Sequence, residues 1–238
     1  MNDPTSAPIA RARSRAGRLP APDEAGPSTA QLRLPPLAAA FFAGDAREVA
    51  QAMVGKLLVH ADGRVARLAE VEAYMGTDDP GSHAFRGPTP RTGIMFGPPG
   101  HLYVYFSYGM HWGANVVCGP EGTASAVLLR AAQPLSGVET MRQARWHGQR
   151  AMPDRDLCRG PGRLTEAFGI SGDDNGLDLS ASSPAPATLW LADDGAGPGG
   201  TVVATRRVGL AIGRGADLPW RYLVAGSPWA SAGPRQRD

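Results

Sequence analysis

The run His101-Leu-Tyr-Val-Tyr-Phe-Ser-Tyr-Gly-Met-His-Trp112 restricts the fold more than any other stretch of the chain. Strand-like residues fill 102–106 and resume over 112–117. Between them, Ser107-Tyr108-Gly109-Met110 supplies a glycine that can take the positive φ a hairpin turn requires. The spacing therefore predicts a β-hairpin. Further extended runs are predicted over 65–75, 126–131, 188–191, 207–212 and 221–224. Apolar residues recur at helical spacing from Phe41 to Leu58, with Asp45 as a plausible N-cap for 47–58. Ser136-Gly-Val-Glu139 has the form of a capping box opening a helix toward Trp146. A short helix is predicted over 163–168, entered after Gly160-Pro161 and ended by Gly169. The expected class is α+β: a single domain with a mainly antiparallel curved β-sheet, surrounding helices and a protruding β-hairpin.

Composition sets the outer limits. Residues 1–31 are rich in Pro, Ala, Gly and Arg without an apolar period, which predicts a disordered tail. Its Arg11, Arg13, Arg15 and Arg18 either brush phosphates in a salt-sensitive way or are simply solvated. The folded domain is expected over 32–232, with 233–238 a loose end. Residues 76–100 hold many Gly and Pro, and a loop of that length inside a domain is usually functional. Residues 181–200 read as a surface excursion. The chain has no apolar run long enough for a membrane span and no secretory pattern at its start. Cys118 and Cys158 lack a Cys-x-x-Cys spacing, which points to reduced thiols and a cytoplasmic location. The five histidines lack i, i+4 pairing, so neither a metal nor a cofactor is expected.

Two stretches carry chemistry. In Ala69-Glu-Val-Glu-Ala-Tyr74, strand alternation puts Glu70, Glu72 and Tyr74 on one face. A carboxylate beside an aromatic ring suits a site that activates water next to a stacked ring, although a solvent-facing strand edge has the same pattern. The second is the hairpin, with rings at 101, 103, 105, 106, 108, 111 and 112. Rings on a sheet can be plain core. Tyrosine and histidine also carry a polar handle, and a tyrosine at a hairpin tip is suited to stacking on bases or wedging between them.

These segments resemble the alkyladenine (3-methyladenine) DNA glycosylases. The likeness rests on Phe-Phe-x-x-Asp-x-x-Glu-Val-Ala at 41–50, Glu-Val-Glu-Ala-Tyr at 70–74, Ser-His at 82–83 and Thr-Pro-Arg-Thr-Gly-Ile-Met-Phe at 89–96. It continues through the hairpin to Asn115, then Val-Leu-Leu-Arg-Ala at 127–131 and Leu-Cys-Arg-Gly-Pro-Gly-Arg-Leu at 157–164. Arg-Val-Gly at 207–209 and Gly-Ser-Pro-Trp-Ala-Ser at 226–231 close the series.

The resemblance implies an enzyme that flips alkylated or deaminated purines out of duplex DNA and hydrolyses the N-glycosidic bond. Glu72 would be the general base for the attacking water, with Arg130 holding Glu72 and that water. Tyr74, His83 and Tyr105 would enclose the extruded base, Asn115 would disfavour guanine, and Tyr108 would fill the vacated space in the duplex. Arg91 and Arg163 would meet the DNA backbone. Thr92 and Gly113 depart from the usual pattern, which predicts a looser pocket wall. Backbone cleavage through a Schiff base needs an amine, and the candidates are Lys56, the one lysine of the chain and far in sequence from the pocket residues, and the N-terminal amine on the tail. A monofunctional enzyme is therefore expected, and a monomer because one pocket and one wedge suffice; the alternative is a catalytically silent module that binds damaged DNA.

Overall fold

A computed structural model of the chain describes residues 34–107, 109–146, 152–180, 188–211 and 213–233. The predicted tail, Tyr108 and residues 234–238 lie outside the described residues. Eight strands form one antiparallel sheet, curled on itself. They are β1 (Leu57–His60), β2 (Val65–Tyr74), β3 (Leu102–Ser107), β4 (His111–Cys118), β5 (Ser125–Ser136), β6 (Leu189–Ala192), β7 (Val202–Thr205) and β8 (Arg221–Val224). The order is β3-β4-β5-β2-β1-β6, with β8 paired to β2 and β7 to β8. Helices α1 (Ala39–Phe42), α2 (Ala46–Met53), α3 (Val138–Ala144) and α4 (Pro161–Phe168) flank it, so the class is α+β.

One irregularity in β2 positions everything that follows. The register against β5 shifts on both sides of Glu70. Before the shift, Ala66 and Leu68 point into the main hydrophobic core; after it, Val71 and Ala73 do. The parity of the strand thus changes at the bulge, because one extra residue turns every later side chain to the other face. Glu70, Glu72 and Tyr74 are thereby aimed away from the hydrocarbon core, as strand alternation predicts. They do not face solvent, however, since both glutamates are fully buried.

Several predicted elements need correction. The helix expected over 47–58 ends at Met53, and Leu57 and Leu58 enter β1. Gly55 enforces the break: its φ is +93°, and a Cβ there would lie 2.5 Å from the Pro198 backbone nitrogen. Asp45 does cap this helix, accepting from the Arg47 N–H at 2.8 Å. Ser136 caps nothing, because it is the last residue of β5 and the left-handed Gly137 opens α3. The strand expected at 207–212 lies instead at β7, directly before it; the buried ion pair of Arg207 takes the chain out of the sheet.

Candidate active site

A cavity of about 490 Å³ opens between the start of the hairpin, the end of β2 and the loops at 81–95 and 208–210. That volume is in the range of small-molecule sites. Tyr74, His83, Arg91, Tyr105, Asn115 and Arg130 all line it, so six of the predicted site residues converge on one space. Tyr103 and Val208 complete the wall. The His83 and Tyr105 rings meet edge to face at 4.4 Å between centroids, and Tyr103 stacks on Tyr105 at 5.7 Å. Asn115 faces Tyr103 across the hairpin and donates to its backbone carbonyl at 3.2 Å.

Glu72 lies beneath this wall rather than in it. The Tyr74 hydroxyl donates to Oε2 at 2.9 Å, and the Arg130 Nη1 lies 3.3 Å from the same oxygen. The Val208 N–H donates to Oε1 at 2.7 Å. All three partners line the cavity, so the carboxylate is held from behind its wall. Burial pushes the Glu72 pKa above the ordinary range; Arg130, the Val208 N–H and the Tyr74 hydroxyl pull it back without cancelling that rise. Burial and the adjacent Glu72 together raise the Tyr74 phenol well above its usual value, which keeps it a donor.

Glu70, two residues earlier, has a different environment. It accepts from the Arg130 Nε at 2.8 Å, the Arg221 Nε at 2.7 Å and both the N–H and hydroxyl of Ser231. Burial alone would raise its pKa; Arg130 and Arg221 more than offset this and hold it below the usual carboxylate range. Arg130 therefore bridges two carboxylates, one tied to the cavity and one tied to the C-terminal segment. Arg130 lies 3.3 Å from Glu72 and 2.8 Å from Glu70, which is its closer partner.

At the cavity mouth, the Arg91 guanidinium reaches His83 at 3.2 Å and the Tyr103 hydroxyl at 3.3 Å, and lies 5.7 Å from the Tyr105 ring centroid. His83 is open to solvent on one side. Desolvation by the pocket wall and then the Arg91 charge lower its pKa to about 4, so its ring is neutral at neutral pH. Arg163 is exposed on an adjoining groove with Met110, His111 and Trp112, 3.5 Å from Asp156. Phe106 and Met110 are large exposed apolar residues at the hairpin end. Tyr108 itself is outside the described residues.

The two departures from the family pattern do not loosen the wall. Thr92 is buried, bonds to Thr89, and is absent from the cavity lining. Gly113 pairs directly with Tyr105, and a Cβ there would stand 2.7 Å from Tyr105 Cζ. The tyrosine ring thus occupies the space that a side chain would take. Any larger residue at 113 must move the ring.

Sequence reasoning gave no role to Tyr103, Val208, Arg207 or Ser231. Each sits in a block that carried the family likeness, but only the folded chain connects those blocks to Glu70 and Glu72.

A family model for methylpurine-DNA glycosylases matches residues 40–228. Relatives from Burkholderia lata and Burkholderia cenocepacia, both carrying the provisional name 3-methyladenine DNA glycosylase, are 51% identical. They align over 83% and 81% of this chain and 91% and 89% of their own lengths. A relative of the same name from Anaeromyxobacter dehalogenans is 46% identical over 82% of this chain and 85% of its own length. The chain belongs to the methylpurine-DNA glycosylase family, whose members hydrolyse N-glycosyl bonds in DNA.

Proposed function

We propose that this protein excises alkylated or deaminated purines from double-stranded DNA as a monofunctional glycosylase, leaving an intact abasic site. The observation that carries the proposal is the buried Glu72 carboxylate, fixed by three donors directly beneath a ring-lined cavity. A stacked base cannot be reached in the duplex, so the nucleotide must be extruded at a cost of a few kcal/mol. Tyr74, His83 and Tyr105 return part of that by enclosing the base, and Tyr108 fills the gap left behind. A neutral His83 does not repel an alkylpurine cation, whereas an electron-rich tyrosine face attracts one. Asn115 reads the edge of the base, and Arg91 and Arg163 meet the backbone.

Oε1 of Glu72 accepts one bond from Val208, and a carboxylate oxygen can take a second. That remaining lone pair takes a proton from water as the water attacks C1′. The glycosidic bond breaks, its electron pair leaves with the purine, and the developing oxocarbenium charge is stabilised by the carboxylate. Arg130 keeps Glu72 ionised and oriented.

Wild-type protein is expected to release base from methylated duplex and from a duplex with one hypoxanthine, without added metal. Tight lesion binding with no release from either would instead establish a silent binding module.

No amine is available for a lyase step among the described residues. Lys56 is ion-paired with Asp193 near β1 and β6, at the other end of the sheet from the hairpin. Borohydride added during turnover is expected to trap no covalent protein–DNA complex on a denaturing gel. A trapped band would overturn the monofunctional assignment.

A further inference from the structure

The mechanism leaves unused the most completely enclosed charge pair among the described residues. Arg207 and Asp79 are both fully buried and joined by two bonds of 2.6 and 2.8 Å. Such a pair is a poor source of stability, because desolvating two ions offsets most of their attraction. What the pair does achieve is placement. Arg207 Nη1 donates to the carbonyl of Ala73, the residue between Glu72 and Tyr74. Its guanidinium lies 4.6 Å from the centroid of the Tyr74 ring, whose hydroxyl holds Glu72 Oε2. The next residue in the chain, Val208, supplies the N–H that holds Glu72 Oε1. Two of the three groups that fix the carboxylate are thus set by one side chain.

We infer that Arg207, clasped by Asp79, is the positioning residue that presents Tyr74 and Val208 to Glu72. The inference rests on Glu72 being the general base. Lysine cannot replace Arg207, since bonds to Asp79, Ala73 and Gly215 need a planar fork. The charged and titratable groups facing Glu72 are Arg130 on β5, Glu70 and Tyr74 on β2, and Tyr105 on β3. Arg207→Lys replaces none of these side chains and keeps the positive charge beside Tyr74, so a change in how Glu72 titrates reports on the placement that the clasp provides.

The test uses full-length Arg207→Lys and Asp79→Asn in single-turnover base release across pH, with duplex affinity and Tm measured beside it. Displacing a catalytic group by about 1 Å is worth on the order of 100-fold. Arg207→Lys is expected to lose about that much rate while Kd for lesion duplex stays within about threefold. The acid limb should move up by about one pH unit, because Glu72 loses well-placed donors. Val59→Ala, in the separate core cluster around β1, serves as the control for lost stability and should leave rate and limb unchanged. If Arg207→Lys does not fold, Asp79→Asn decides with the same two readouts, since asparagine keeps the shape of the buried partner.

Variants that lower Tm yet keep the wild-type rate and acid limb below melting would overturn the inference. Failure of the underlying function looks different. There, the wild type releases no base, or Glu72→Gln releases it at the wild-type rate.

Discussion

Glu72→Gln is expected to reduce base release by about 10²–10⁴-fold, the contribution typical of a positioned general base. Glutamine keeps the size of the side chain and can still accept from the Val208 N–H, but cannot take a proton from water. Lesion-duplex affinity should persist, because the rings and Asn115 are untouched. The fold should persist as well. Burial raises the Glu72 pKa in the folded state, so folding favours its neutral form. The stabilising effect of that neutral form is complete below the unfolded pKa and disappears as pH rises through the folded one. At neutral pH the wild-type protein has already lost it; a neutral amide avoids that burial cost, but its NH2 cannot accept from Tyr74 or Arg130 as Oε2 does. The two effects oppose each other, so thermal melting should place Glu72→Gln near the wild type.

The same sign gives the wild-type pH profile: release falls on the acid side as Glu72 protonates, with the limb above the ordinary carboxylate range. Wild-type rate in the glutamine variant, or a limb within the ordinary range, would remove Glu72 from the role of base.

The hairpin and the shared face of Glu70, Glu72 and Tyr74 were legible in the chain because they follow from local pattern, whereas the convergence of Tyr74, His83 and Tyr105 followed only from the family resemblance. Alternation over 65–75 predicts the shared face of Glu70, Glu72 and Tyr74, and the bulge at Glu70 preserves it while turning the strand's earlier half the other way. The depth of these residues was not legible. Their pattern fits a solvent edge equally well, and only β8 and the segment ending at Ser231 bury them. Gly113 illustrates a second limit. As a letter it signals missing bulk, but across the hairpin the Tyr105 ring fills that bulk. Arg207 illustrates a third. Its neighbours in sequence suggest a strand, and only a partner 128 positions away explains why the strand ends before it.

Glu70→Ala is expected to cause the largest loss of stability of any single change in the site, about 3–5 kcal/mol, because it leaves buried Arg130 and Arg221 without their shared carboxylate. Domains of this size carry roughly 5–15 kcal/mol in total, so the variant stands near the limit of folding. At about 2–4 °C per kcal/mol, its melting point should fall by roughly 6–20 °C. The pH dependence separates this ion-pair effect from simple loss of packing. Arg130 and Arg221 hold the Glu70 pKa below the usual range despite its burial. Its contribution is therefore present above the unfolded pKa and is lost as pH falls through the folded one. The gap in unfolding free energy between wild type and variant should be widest at neutral pH and narrow as the solution is acidified below the usual carboxylate range, measured by urea titration at each pH. A gap that stays constant with pH would mean that the cost is a cavity rather than a charge. A variant that melts like the wild type but releases no base would make Glu70 a participant in the chemistry. The contrast with Glu72 would then collapse, since that contrast rests on partners: Arg130, Arg221 and Ser231 hold Glu70 ionised for the fold, whereas Glu72 is buried with fewer donors and so can take a proton.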